Sequence, residues 1–106
     1  MKVSSLKNSL IIILEKKDNI NELKLELSDK KYHKKNLIID INKISTNFFS
    51  SFFKTLVKSQ KNKNKSLVFL TNNSNSMNTD FNCIPTLGEA IDFIDLEEIE
   101  RDLNLI

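Results

Sequence analysis

Glycine is nearly absent from this chain: Gly88 is the only one in 106 residues. A loop that cradles a phosphate on backbone N–H groups needs several glycines, so that chemistry is excluded. Cysteine is equally scarce. Cys83 stands alone, no internal disulfide can form, and a reducing compartment fits. Between Asn82 and Ile84 it reads as a small buried strand residue rather than a nucleophile. His33 is the single histidine, set in the basic run Lys30-Lys31-Tyr32-His33-Lys34-Lys35, where a solvated imidazole is expected. A metal site needs several His, Cys or carboxylate groups at suitable spacing, and none cluster. Tryptophan is missing, and Pro85 is the only proline. The longest apolar run, Leu10–Leu14, is far short of the roughly 20 residues that span a membrane. The first residues hold no long apolar stretch, so no cleaved leader is expected. The expectation is a cytoplasmic protein without membrane contact, without catalytic residues, and without a metal or other cofactor: not an enzyme.

What is present suits one globular domain spanning residues 1–106. The chain is 40% hydrophobic and 28% charged, ordinary values for such a domain. Its net charge of +2 hides a split. Residues 1–88 carry 15 Lys against seven acids, +8; residues 89–106 carry Arg101 against Glu89, Asp92, Asp95, Glu97, Glu98, Glu100 and Asp102, −6. If the tail folds as its own element, the molecule has two faces of opposite potential.

Hydrophobic periodicity supplies the elements. The β-branched run in Ser9–Glu15 and the run in Asn36–Ile41, with Asp40 near its end, suit strands covered on both faces. Leu67–Leu70 is a third. Lys2–Leu6 is expected to pair antiparallel with the first across Lys7-Asn8, and Cys83-Ile84 to form a short edge before Pro85. Residues 19–33 fit both periods: Leu23, Leu25 and Leu27 alternate, while Ile20, Leu23 and Leu27 share a helical face. A helix is chosen, because a parallel next strand needs a crossover and Asn19 with Glu22 makes a capping box. Residues 47–59 read as a helix with a Phe48, Phe49, Phe52, Phe53, Leu56 and Val57 stripe, capped by Ser45 or Thr46. Residues 61–65 and 71–82 read as loops. Thr86 with Glu89 caps a last helix. Its face Leu87, Ala90, Ile91 and Ile94 is not continued by Leu96, Ile99 and Leu103, which lie nearly opposite at about 100° per residue. With a second capping signal at Asp95 and Glu98, a break near Asp95 and a separate acidic helix over 95–106 are predicted.

Two surfaces invite partners. Leu96, Ile99 and Leu103 make a narrow apolar seam among acids, suited to packing on its own domain, docking in a groove, or forming a homo-oligomer. The Lys cluster at 58–65 has no interleaved aromatic ring and that at 30–35 has Tyr32 alone, which argues against nucleic acid.

The order strand, helix, Asp-ended strand, helix, strand, loop and capped helix resembles the STAS domain of sulphate transporters and anti-sigma-factor antagonists. The matching stretches are Asn36–Ile41 through Ser45–Leu56 to Ser66–Leu70, and Ile84-Pro85-Thr86-Leu87-Gly88-Glu89-Ala90, similar to that family's last strand and helix start. The closing Glu97–Leu103 is similar to the tail of a small stand-alone subfamily. The resemblance implies an α/β fold, a mixed sheet of about four strands with helices against it plus the acidic terminal helix. It implies regulation through a protein partner, such as an anti-sigma-factor-like kinase, controlled by serine phosphorylation. The family's Asp-Ser-Ser-Gly motif is replaced here by Ser45-Thr46-Asn47-Phe48-Phe49-Ser50-Ser51, so the candidate phosphoacceptors are Ser45, Thr46, Ser50 and Ser51. Asp40, Leu96, Ile99 and Leu103 are the candidate partner-binding residues. The alternatives are a structural, oligomerising subunit using the terminal helix, and an RNA- or ribosome-associated protein using the Lys clusters.

Overall fold

The computed structural model describes residues 1–45, 49–72 and 81–104. Its framework is a five-stranded sheet whose spatial order is the chain order. β1 (Lys2–Leu6) and β2 (Ser9–Ile13) form an antiparallel hairpin with Leu6 opposite Ser9, so the loop is Lys7 and Asn8 alone. Lys7 takes φ 54°, a left-handed value that costs a non-glycine residue some strain. β3 (Asn36–Asp40), β4 (Leu67–Leu70) and β5 (Cys83–Ile84) then add in parallel, each beside its predecessor. The sheet thus has one strand more than the roughly four expected with the resemblance, and its five strands lie at the five segments the sequence pattern names; the class, α/β with a mixed sheet and a C-terminal helix, is as expected.

Alternation along the buried strands sorts the core into two layers. Leu10, Ile12, Leu14, Leu37, Ile39, Ile41, Leu67 and Phe69 face α1 (Ile20–Leu27) and α2 (Ser50–Asn62), packing on Leu23, Phe49 and Phe53. Phe53 stacks on Phe49 and lies against Phe69 and Phe81. Burying a side chain of this size contributes about 1.5–3 kcal/mol, so this aromatic cluster is a main support of the fold. Ile11, Ile38, Val68 and Leu70 point the other way, to Ala90 and Ile94 of α3 (Leu87–Asp102). The unbroken apolar runs reflect this covering of both faces.

Several boundaries differ from the sequence pattern, each for a local reason. In the 19–33 segment, Asn19 caps α1 by accepting from the Glu22 N–H at 2.9 Å, as expected. The helix nevertheless stops at Leu27. Asp29 then accepts from the Lys31 N–H and starts a separate 3-10 turn, Lys30–Tyr32. α2 begins at Ser50 rather than 47. Its N-cap is Phe49, which has no side-chain cap bond, so Ser45 does not cap it; Thr46 lies outside the described residues. α2 also runs on into the expected loop, as far as Asn62, because Gln60 is buried and its amide donates to the carbonyls of Lys35 and Ser66.

The largest correction concerns the last helix. α3 is continuous through Asp95, without the expected break and without a separate terminal helix. Thr86 caps it as expected, its hydroxyl accepting from the Glu89 N–H at 3.2 Å. What keeps the second half on the sheet is polar rather than apolar, as described below. No helix among the described residues is long and apolar enough to cross a membrane.

Candidate binding surface

On the face of the sheet that carries α3, the strand register places Asn36 two residues before Ile38, and Ser66 two before Val68. The surface under α3 is therefore apolar beneath its first turns and polar beneath its last ones. The helix matches this change. Ala90 and Ile94 meet the apolar part, and one further turn along the same side comes Glu97, Glu98 and Arg101. The Asn36 amide donates to Glu98 at 2.7 Å, and its oxygen accepts from the Ser66 N–H at 2.8 Å. The Asn8 amide donates to the other Glu98 oxygen. The Ser66 hydroxyl donates to Glu97 at 2.6 Å and accepts from Arg101 at 3.1 Å. Lys65 and Arg101 lie 3.9 and 4.0 Å from Glu98. Asn36 is fully buried, and no buried side-chain N or O among the described residues lacks a hydrogen-bond partner. Groups so placed hold their geometry, because leaving any one unpaired is costly.

Turning these two carboxylates inward has a consequence for the opposite side of the helix. Leu96, Ile99 and Leu103, spaced at i, i+3 and i+7, form one stripe. They point to solvent, with relative exposures of 56%, 55% and 63%. Packing of the seam on its own domain, one of the three expectations, does not occur. Asp92 and Asp102 are exposed beside it, and Asp95 and Glu100 are partly so. Single exposed leucines are common on protein surfaces, and Leu25 is one on α1. Three in register along a helix rimmed by acids make a surface with a shape.

The other candidate residues are dispersed. Asp40, at the C-terminal end of β3, accepts from the Asn42 N–H at 3.0 Å and so shapes the turn that follows. Ser45 is exposed just beyond that turn; Ser50 and Ser51 are exposed in the first turn of α2. A cleft of about 1040 Å³ opens at these strand ends, between Lys16, Lys24, Lys43, Ser45 and Phe49, where α/β sheets commonly receive ligands. Buried Asp18 lies at its edge, accepting from the Glu15 N–H at 2.7 Å and paired with the Met1 amino group at 2.9 Å. Burial works to raise the Asp18 carboxyl, but these donors together hold it below the ordinary carboxylate value. Desolvation pushes the half-buried Cys83 thiol up, away from the reactive thiolate. His33 is exposed, and among the described residues no group of three or more His, Cys, Asp or Glu is placed to hold a metal ion. Among the described residues, the large exposed apolar side chains are all aliphatic, and Lys31 lies 5.1 Å over the Tyr32 ring, so within them no open aromatic platform accompanies the Lys clusters.

The polar network was not anticipated from sequence. Its one visible sign is that the apolar runs of β3 and β4 are each preceded by a small polar residue, Asn36 and Ser66, where a further apolar residue would continue the strand. Compared with known proteins, the chain matches no family model, no curated protein and no solved structure.

Proposed function

We propose that this chain is a non-enzymatic regulatory domain of the STAS kind, acting in the cytoplasm by binding a protein through the outward seam of α3. One observation carries the reading: Leu96, Ile99 and Leu103 stand exposed on the solvent side of a helix whose other side is fastened to the sheet by Glu97 and Glu98. A helix that holds a row of aliphatic side chains in water on a fixed support is prepared for docking, because burying that row on a partner recovers the hydrophobic free energy its exposure forgoes. The anti-sigma-factor-antagonist role comes from the resemblance. Under it, Ser50 and Ser51 are the better placed of the candidate phosphoacceptors: a phosphate in the first turn of α2 adds about −1.5 to −2 charge at a helix end that tolerates it.

The test is chemical cross-linking in the native cell with the wild-type chain and with Ile99→Lys. The expected result is a partner protein recovered with the wild type and lost with the variant, both being folded by circular dichroism. Recovery of the same partner in equal yield from both would overturn the seam as the contact surface.

A further inference from the structure

We infer that the seam of α3 docks in the groove between α1 and α2 of a second copy of this chain, a head-to-tail contact. The inference rests on the reading of the seam as a docking surface, and names its occupant.

The groove lies on the other side of the sheet from α3. It holds about 240 Å³ between α1, the 3-10 turn and α2, with Leu27, Tyr32, Phe52 and Leu56 among its walls; Lys24 and Lys63 also line it, and the Lys24 ammonium reaches over the Phe52 ring at 5.4 Å. No carboxylate lines it. Glu22 and Glu26 each stand two residues from Lys24, about 200° around α1, and so belong to the far flank. By the same measure Lys54 and Lys58 of α2 stand two residues from Leu56 and belong to its far flank, and Lys61 lines a different cleft with Ser66 and Arg101, so the positive charge at the groove is that of Lys24 and Lys63; α2 has no acidic residue. The groove is thus an apolar trough lined also by these two cations, and the seam an apolar ridge with anionic banks: Asp92, Asp95, Glu100 and Asp102. Ridge and trough are complementary in polarity and in sign.

A seam-to-seam pairing is disfavoured by the same charges. It would set the carboxylate rim of one copy against that of the other, and like charges across an interface act against association. Because ridge and groove lie on opposite faces of one sheet, the contact is heterologous. Each copy that docks leaves a free groove at one end and a free seam at the other, so assembly continues unless the rotation closes a ring. Attraction between exposed charges of opposite sign weakens as salt screens it.

The experiment is sedimentation of the full chain over a wide concentration range, with two variants: Ile99→Lys, which blocks the ridge, and the double variant Lys24→Glu/Lys63→Glu, which reverses the groove. The wild type is expected to rise in mass with concentration past the dimer, and to fall back at high salt. Each variant alone is expected to remain a monomer. An equimolar mixture is expected to give a species of twice the monomer mass and no larger, because one intact seam meets one intact groove. A wild type monomeric throughout, a groove variant that still dimerises, or a mixture that stays monomeric each overturns the inference. If the wild type is monomeric while Ile99→Lys still loses its cross-linked partner, self-docking falls and the docking reading stands. If neither measurement responds to Ile99→Lys, both fall.

Discussion

Asn36 joins three elements with one side chain. It lies in β3, accepts from the backbone just before β4, and donates to Glu98 of α3. An apolar residue there would fill the space but leave the Ser66 N–H and one Glu98 oxygen without their partner. Hydrogen bonds to charged groups contribute about 1.5–3 kcal/mol, and orphaned buried groups cost a similar amount. Asn36→Ala is therefore expected to lower stability by about 3 kcal/mol in urea denaturation, well beyond the effect of removing any exposed Lys. Asp18 makes a prediction of a different kind. Its carboxyl is held below the ordinary aspartate value in the folded chain. A depressed carboxylate contributes stability that is fully present above the unfolded value and is lost as pH falls through the folded one. The wild type should lose stability as pH drops below about 4, beyond what the other carboxylates cause. Asp18→Asn should be less stable at neutral pH and converge on the wild type in acid, measured by thermal unfolding at a series of pH values.

The three helices differ in how they are held at their ends, and this decides what substitutions do. α3 begins on the Thr86 hydroxyl; its loss typically costs about 1 kcal/mol. α2 begins on Phe49, which is buried in the aromatic cluster and offers no side-chain acceptor. Thr86→Ala is thus expected to cost about 1 kcal/mol and Ser45→Ala to stay within about 0.5 kcal/mol of the wild type, both by denaturant titration. From sequence alone the two sites look alike, a hydroxyl just ahead of an apolar periodic run. What separates them is tertiary: the buried stripe anchors the start of α2 by packing, which no local motif reports. The same limit explains α3. Its apolar face changes at Asp95, and periodicity reads that change as a break. The helix stays whole because Glu97 and Glu98 find Ser66, Asn36 and Asn8, residues 31, 62 and 90 positions away in the chain. By contrast, β2, β3 and β4 and the hairpin Lys2–Leu6 with Ser9–Ile13 were legible, because their signals lie within a few consecutive residues. Of the binding surface, the stripe Leu96, Ile99 and Leu103 was visible as a pattern. That it faces water was not, since this depends on which side the carboxylates take.

Across the whole molecule, the sheet separates α2, with three Lys and no acid, from α3, with seven acids and one Arg, while Lys65 joins the α3 side by pairing with Glu98. The sheet also sets an order of stability among its strands. β3 lies at the centre, with Leu37, Ile38 and Ile39 buried and ladder partners on both sides; β2 and β4 are almost as well enclosed. β1 has every residue exposed and a partner on one side only, and β5 is two residues long. Amides open locally where few apolar contacts hold the backbone, and only by global unfolding where many do. Native-state hydrogen exchange should therefore find the slowest amides in β3, with β2 and β4 close behind, and the fastest strand amides in β1. Asn36→Ala is a sharp probe of the same hierarchy. If the polar network fastens α3 to the sheet, the variant's excess exchange appears first in the last two turns of α3, around Glu97–Arg101, and leaves α1 as it was. Uniform acceleration across all three helices would mean instead that α3 has no local stability of its own, and that its second half opens only when the central strands do.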